Sequence, residues 1–245
     1  MDSLDVLVWL RAEEDILEGR ELFSVLGIPQ KVLPSVRYET CMSREILRLS
    51  LEEMQNQPLL FASERAVRYF FEILGDESAV AILKQAQRIF CVGSRGRMLL
   101  KKKWCEKEAV VMVDCMASVL PYLPAGSTLR YPCSEQYVLK EVERALVSGI
   151  RLLPIPIYSS LPLQIDNSLC ELFDQFDYPG FLVLAPSQAR PLRNFTDRNF
   201  VSFCMGRRSF ETLLAWGMPK VVSANEATLK GLLQAVKIYR EEVRQ

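Results

Sequence analysis

The sequence predicts an α/β protein of two parallel-sheet lobes of related topology, joined by a two-stranded extended connector. Three observations predict it. Short apolar runs alternate with amphipathic segments along the chain, the pattern of strands covered by helices on both faces. The two halves carry the same landmarks in the same order. Two proline-bearing extended runs, residues 31–40 and 151–160, each follow a helical segment that ends in glycine.

Taken in order, "VLVWL" (6–10) is a buried strand, and "EEDILEGRELFSVLG" carries Ile16, Leu17, Phe23, Val25 and Leu26 before a glycine stop at Gly27, a helix. "KVLPSVRYET" is extended. "LLFAS" (59–63) and "RIFCVG" (88–93) are strands, each followed by a helix, "ERAVRYFFEIL" and "SRGRMLLKKKW". The pattern returns as strand "STLRYP", helix "SEQYVLKEVERALVSG" and extended run "IRLLPIPIYSS". Strands "FLVLAPS", "FVSFCMG" and "KVVSA" then alternate with helices "RRSFETLLAWG" and "EATLKGLLQAVKIYREEV".

Setting the segment from Leu7 over the segment from Leu129 brings Gly27 onto Gly149, Pro34 onto Pro156 and Val36 onto Tyr158. "LLFASERAVRYFF" matches "LVLAPSQARPLRNF", with Ser63 on Ser187, and "RIFCVG" matches "FVSFCMG", with Cys91 on Cys204 and Gly93 on Gly206. This is the signature of one duplicated α/β unit, so each lobe is expected to hold a flavodoxin-like sheet. The two extended runs are too apolar for flexible linkers. They are expected to lie side by side, the chain leaving one lobe on the first and returning on the second. That puts residues 1–35 and 160–245 in lobe one, 40–150 in lobe two, and 31–40 and 151–160 in the connector.

Composition narrows the chemistry. Of 245 residues 49% are hydrophobic and 24% charged, enough to bury a core. Lys+Arg and Asp+Glu balance at 30 each, which argues against a nucleic-acid binder. No apolar run approaches a membrane span, and the N-terminus lacks a basic stretch before its apolar run. Seven cysteines without a CxxC pair suit reduced thiols in a cytoplasmic protein rather than a disulfide framework or a zinc site. The chain contains no histidine. Ser-His-Asp and Cys-His catalysis are thereby excluded, as is any His-ligated metal.

Five stretches in order resemble the uroporphyrinogen-III synthase family. "FASERAVRYFF" stands for that family's F-T-S-x-x-A-V-x-x-F and "CVGSRGRMLL" for its V-G-x-x-T-A-x-x-L. "PIPIYSS" (154–160) stands for its extended run ending in Tyr, "FCMGRRSFETLLAWGM" for I-G-x-T-T-A-x-x-L-x-x-x-G, and "SANEATLKGLLQAV" for the closing P-T-x-x-G-L-x-x-A. The sequence departs at Gly96, where the family has Thr, at Arg208-Ser209 in place of Thr-Thr, and at "LAPS", which retains only Ser187.

The resemblance implies a lyase of haem biosynthesis, a cyclising hydro-lyase without cofactor or metal; the composition suits a cytoplasmic protein without nucleic-acid or membrane partner, and a monomer is the default expectation. Its substrate is a linear tetrapyrrole polycarboxylate, hydroxymethylbilane, which loses water and closes with inversion of the last pyrrole ring. Positioning is then the main task, suited to a cleft between lobes. The substrate's carboxylates call for donors, and helix starts at strand ends supply them. Ser63 and Arg65, Gly93, Ser94 and Arg95, Ser187, and Gly206, Arg207, Arg208 and Ser209 are the candidate binding residues. Tyr158 is the candidate catalytic group, a phenol protonated at neutral pH and able to donate to the leaving hydroxyl.

Each residue also has a plainer role. Ser63 and Ser187 are expected to cap the helices that follow. The arginines suit solvated surface, Cys91 and Cys204 suit apolar packing, and Cys133 is the cysteine that follows a strand into exposure. Glu13 and Glu14 favour a helix start. Tyr158 equally suits a ring packed between lobes with its hydroxyl on the backbone. Two other functions compete: a non-catalytic two-lobed anion- or tetrapyrrole-binding protein of this fold, and a nucleotide-binding flavodoxin-like protein. The latter needs a phosphate loop after the first strand, where "LRAEED" is acidic.

Overall fold

The computed structural model describes residues 4–11, 15–52, 56–104, 110–137 and 139–244. Glu13 and Glu14 lie outside the described residues. The chain divides into two compact units, Met1–Arg37 with Leu161–Gln245, and Tyr38–Ser160.

The first unit is a parallel sheet of β1 (Val6–Trp9), β2 (Gln30–Val32), β9 (Pro179–Val183), β10 (Val201–Cys204) and β11 (Val221–Ser223), in the order β11-β10-β9-β1-β2. Strand β1 shows why the run "VLVWL" has no polar alternation. Leu7 and Trp9 pack with α1 (Leu17–Phe23) and α9 (Leu229–Arg244). Val6 and Val8 pack with α7 (Asp166–Gln175) and α8 (Arg207–Ala215). Both faces are therefore covered, and each fully buried large side chain contributes roughly 2 kcal/mol. Gly27 ends the first helical segment with φ 64°, a left-handed cap that glycine adopts without steric cost.

The second unit carries a sheet in the order β3-β8-β7-β4-β5-β6. Its strands are β3 (Val36–Thr40), β4 (Leu59–Phe61), β5 (Ile89–Val92), β6 (Val110–Val113), β7 (Thr128–Ser134) and β8 (Arg151–Pro162). One face packs on α2 (Arg44–Glu52), α3 (Glu64–Leu74), α4 (Asp76–Gln85) and α5 (Ser94–Lys103) through Leu47, Phe61, Phe70, Leu83 and Leu100. The other packs on α6 (Leu139–Val147) and a 3-10 segment, Met116–Tyr122, through Leu60, Phe90, Val119, Leu129 and Ala145.

The duplication is visible strand by strand. β2-β1-β9-β10-β11 of the first unit corresponds in space to β8-β7-β4-β5-β6 of the second; the first reads as the 2-1-3-4-5 order of the flavodoxin-like doubly wound fold, and the second, where β4, β5 and β6 precede β7 and β8 along the chain, reads 5-4-1-2-3, a circular permutation of it. Gly149 (φ 72°) mirrors Gly27 ahead of β8. The second unit adds β3, outside the repeat.

The extended runs are not free-standing. The first is shared between sheets: Gln30–Val32 pairs with β1, and Val36–Thr40 is the edge strand beside β8. Cys41 N donates to Ile157 O (3.2 Å) and Leu163 N to Ser35 O (2.9 Å), so β3 and β8 run in opposite directions. The second run pairs in parallel with β7 from Arg151 to Tyr158. An apolar run of this length needs partners for its backbone groups, and the sheet supplies them. Its prolines fit because Arg151 N donates to Ser127 O, which turns the amides of Arg151, Leu153 and Ile155 toward β7. Pro154 and Pro156 occupy the alternate positions, where no donor toward β7 is required.

Helices α2, α4 and α7 and strand β6 are not among the elements expected from the sequence. Among the described residues no helix is long and apolar enough to cross a membrane.

Candidate active site

The carboxyl ends of parallel strands are where doubly wound sheets bind ligands, at the point where strand order reverses. In the second unit that point lies between β7 and β4, and several predicted residues meet there.

Tyr158 arrives through a register shift. Residues 151–156 pair one for one with 128–133, with Cys133 opposite Pro156, but Ser134 faces Tyr158, leaving Ile157 as an additional residue. The consequence shows in packing. Ile155 and Ile157 belong to the core on the α3 side, and Leu152 to the opposite face. Strict alternation sends Tyr158 with Leu152, yet it packs with Ile155 and Ile157. A β-bulge re-aims a side chain in this way. Since β7 lies between β8 and β4, the phenol reaches across the end of β7 to Ser63, with its oxygen 3.4 Å from Ser63 Oγ.

Ser63 follows β4 with extended backbone (φ −158°, ψ 156°) and caps α3, its Oγ accepting from Ala66 N at 3.1 Å. Capping and contact with the phenol thus coexist. Two residues on, the Arg65 guanidinium carbon lies 3.5 Å from the centroid of the Tyr38 ring, close enough for a cation–π contact. Tyr69 stacks on Tyr158 with centroids 5.2 Å apart and planes inclined by 15°, and Tyr38 meets Tyr158 edge-on at 6.4 Å.

Tyr158 is 8% exposed. Burial holds its phenol above the ordinary value of 10.0, while the Ser63 hydrogen bond and the Arg65 charge draw it back in part. The phenol is therefore the protonated, donating form at any physiological pH. Tyr38 and Tyr69 were not expected as site residues. Their signal in the sequence is faint: one lies within the outgoing extended run, in the middle of β3, and the other lies six residues past the cap, on the same helix.

At the end of β5, Gly93 (φ 77°) leads into α5, with Ser94 and Arg95 exposed in its first turn. Gly96 is buried where α5 packs hard on β5. A Cβ there would lie 2.8 Å from Cys91 Sγ and 3.5 Å from Glu64 N, at the start of α3.

In the first unit the matching loops differ. Ser187 is exposed, and it is not the cap its alignment with Ser63 suggests. The helical segment Pro186–Phe195 starts after Ala185, and buried Gln188 accepts from Leu184 N (3.0 Å) and Ala185 N (3.2 Å). A longer side chain one residue later reaches back to amides that a serine at 187 does not serve. Gly206 is extended (φ −162°) ahead of α8. Arg207 pairs with Glu211 on the surface (2.7 Å), Arg208 is exposed, and Ser209 is buried.

The buried cysteines supply no reactive thiol to the site. Cys133 is buried rather than exposed, its thiol pushed up by burial to about 12, and burial holds Cys91 and Cys204 at about 11. All three are protonated, unreactive thiols at neutral pH. Among the described residues no group of three or more His, Cys, Asp or Glu side chains is placed to hold a metal.

A family model described as uroporphyrinogen-III synthase HemD matches residues 20–234. Among solved structures, the chain is similar to the uroporphyrinogen-III synthetase of Helicobacter pylori, at 16% identity over 98% of this chain and 100% of that one, with a TM-score of 0.69. It is also similar to a mutant uroporphyrinogen III synthase of the extremely thermophilic bacterium Thermus thermophilus, at 20% identity over 97% of this chain and 99% of that one, with a TM-score of 0.62. No curated protein sequence matches it.

Proposed function

The chain belongs to the uroporphyrinogen-III synthase family, and from that premise we propose that it is the cyclising hydro-lyase that closes hydroxymethylbilane with inversion of the last ring, with Tyr158 as the acid. The observation that carries the chemical role is the buried, protonated phenol at the carboxyl end of the sheet, held by Ser63 and two tyrosine rings.

In this reaction the bond between the hydroxymethyl carbon and its oxygen breaks, and the oxygen leaves as water after taking the Tyr158 proton. The pyrrole nitrogen supplies the electron pair, giving a cationic azafulvene. A pyrrole carbon of the last ring attacks it to form a spiro intermediate, which rearranges to the inverted macrocycle. The proton the ring then loses restores the phenol. General acid catalysis of this kind contributes about 10²–10⁴-fold, and substrate folding carries the remainder.

The first-turn amides and dipoles of α3 and α5 favour anions, so Arg65, Gly93, Ser94 and Arg95 are assigned to substrate carboxylates, with Ser63 as the cap that holds the start of α3 in place. Ser187, Gly206, Arg207, Arg208 and Ser209 of the first unit are assigned the same task. Arg207 first has to exchange Glu211, a small cost because the pair is solvent-exposed and screened. The buried, protonated thiols of Cys91, Cys133 and Cys204 suit a reducing, cytoplasmic setting.

Purified protein incubated with hydroxymethylbilane is expected to yield isomer III after oxidation and separation of the porphyrins; isomer I alone would refute the assignment. Arg65→Ala combined with Arg208→Ala is expected to raise KM about tenfold at low ionic strength, with the effect shrinking as salt is added. Unchanged KM at every salt concentration would place both arginines outside the site.

A further inference from the structure

We propose that Ser63 is a positioning residue: its hydroxyl donates to the Tyr158 phenol oxygen and thereby points the phenol's own proton toward the substrate. The inference rests on the reading of Tyr158 as the acid and assigns Ser63 a task beyond capping or touching carboxylates.

Ser63 Oγ has one proton and two acceptor sites. One acceptor site takes the Ala66 amide at 3.1 Å. That amide sits in the first turn of α3, at the positive end of the helix dipole, and both draw electron density from Oγ. The hydroxyl becomes a stronger donor and a weaker acceptor. Its neighbour is the Tyr158 oxygen at 3.4 Å.

The phenol has little freedom of its own. Its ring is held by the stack on Tyr69 and the edge of Tyr38, so only the C–O–H torsion remains. A phenol proton lies in the ring plane and has two positions. A donor filling the lone pair on the Ser63 side leaves the proton on the other. An acceptor there would do the opposite and tie up the proton inside the protein. One helix start therefore sets the acid's direction, through the hydroxyl of Ser63 and the ring of Tyr69.

The test is a double-mutant cycle with hydroxymethylbilane as substrate, reading kcat, KM and the isomer ratio. Ser63→Ala is expected to lower kcat about tenfold with KM within about twofold, the split expected when a group acts only in the transition state. Ser63→Thr, which keeps both donor and acceptor, is expected to recover most of that loss. In a Tyr158→Phe background Ser63→Ala is expected to change kcat by less than about twofold, because the group through which it acts is gone.

Loss of the helix cap is common to both backgrounds and cannot produce this difference. A tenfold loss in both backgrounds, or none in the wild type, overturns the inference and leaves the role of Tyr158 standing. Tyr158→Phe with full kcat overturns both.

Discussion

Tyr158→Phe is expected to lower kcat by about a hundredfold, in the lower part of the range for a general acid, with KM close to that of the wild type. The ring keeps its stack on Tyr69 and its place in the core. The lost hydrogen bond is long, at 3.4 Å, so the fold loses little, about 0.5 kcal/mol. Uncatalysed closure is unaffected and gives isomer I, so the isomer III fraction falls as the enzymatic rate does. Full kcat in the variant would make the tyrosine a packing residue.

The pH dependence follows from the raised phenol. Burial favours the neutral form, so the folded state holds the Tyr158 proton beyond the ordinary value of 10.0. The stability this group contributes is fully present below that value and is lost as pH rises through the folded pKa. The same rise removes the acid. The wild type is therefore expected to lose activity with an alkaline limb above about pH 10, which Tyr158→Phe lacks.

Gly96→Thr, which restores the family's residue, is expected to destabilise the second unit by about 1–3 kcal/mol through overpacking. The new Cβ would stand 2.8 Å from the sulfur of Cys91, a fully buried residue in β5. Replacing a helix-interior glycine returns only a few tenths of that, about 0.3 kcal/mol. At roughly 2–4 °C per kcal/mol for a chain of this size, melting is expected several degrees lower. Combining it with Cys91→Ala removes the clash, so the double variant is expected to be more stable than the sum of the single effects by about 1 kcal/mol. An unchanged melting temperature in the single variant would mean that α5 moves outward freely. Because Gly96 also abuts the start of α3, the variant is expected to lose kcat as well, through displacement of Ser63.

The sequence by itself determined what neighbours along the chain decide. Apolar runs separated by amphipathic segments fixed the principal strands and helices. Glycine stops at Gly27 and Gly149 and the serine cap at Ser63 are local signals that operate within a few residues. Repeated in order, they also exposed the duplication, which the two sheet orders carry through. The elements it missed, α2, α4, α7 and β6, are comparable in length to those it found, and α2 is plainly amphipathic, so the periodic signal extends to them as well.

The tertiary structure decided the rest, because it joins residues far apart in the chain. Ser63 and Tyr158 are 95 positions apart. Their approach depends on one extra residue, Ile157, which turns Tyr158 out of strict alternation and onto the α3 face. Tyr38 and Tyr69 join them for the same reason. Alignment with Ser63 likewise does not tell that Gln188, rather than Ser187, serves the backbone amides at the matching loop. Periodicity records which face of an element is apolar. Register, and with it the direction of a single phenol, is set only when strands pair.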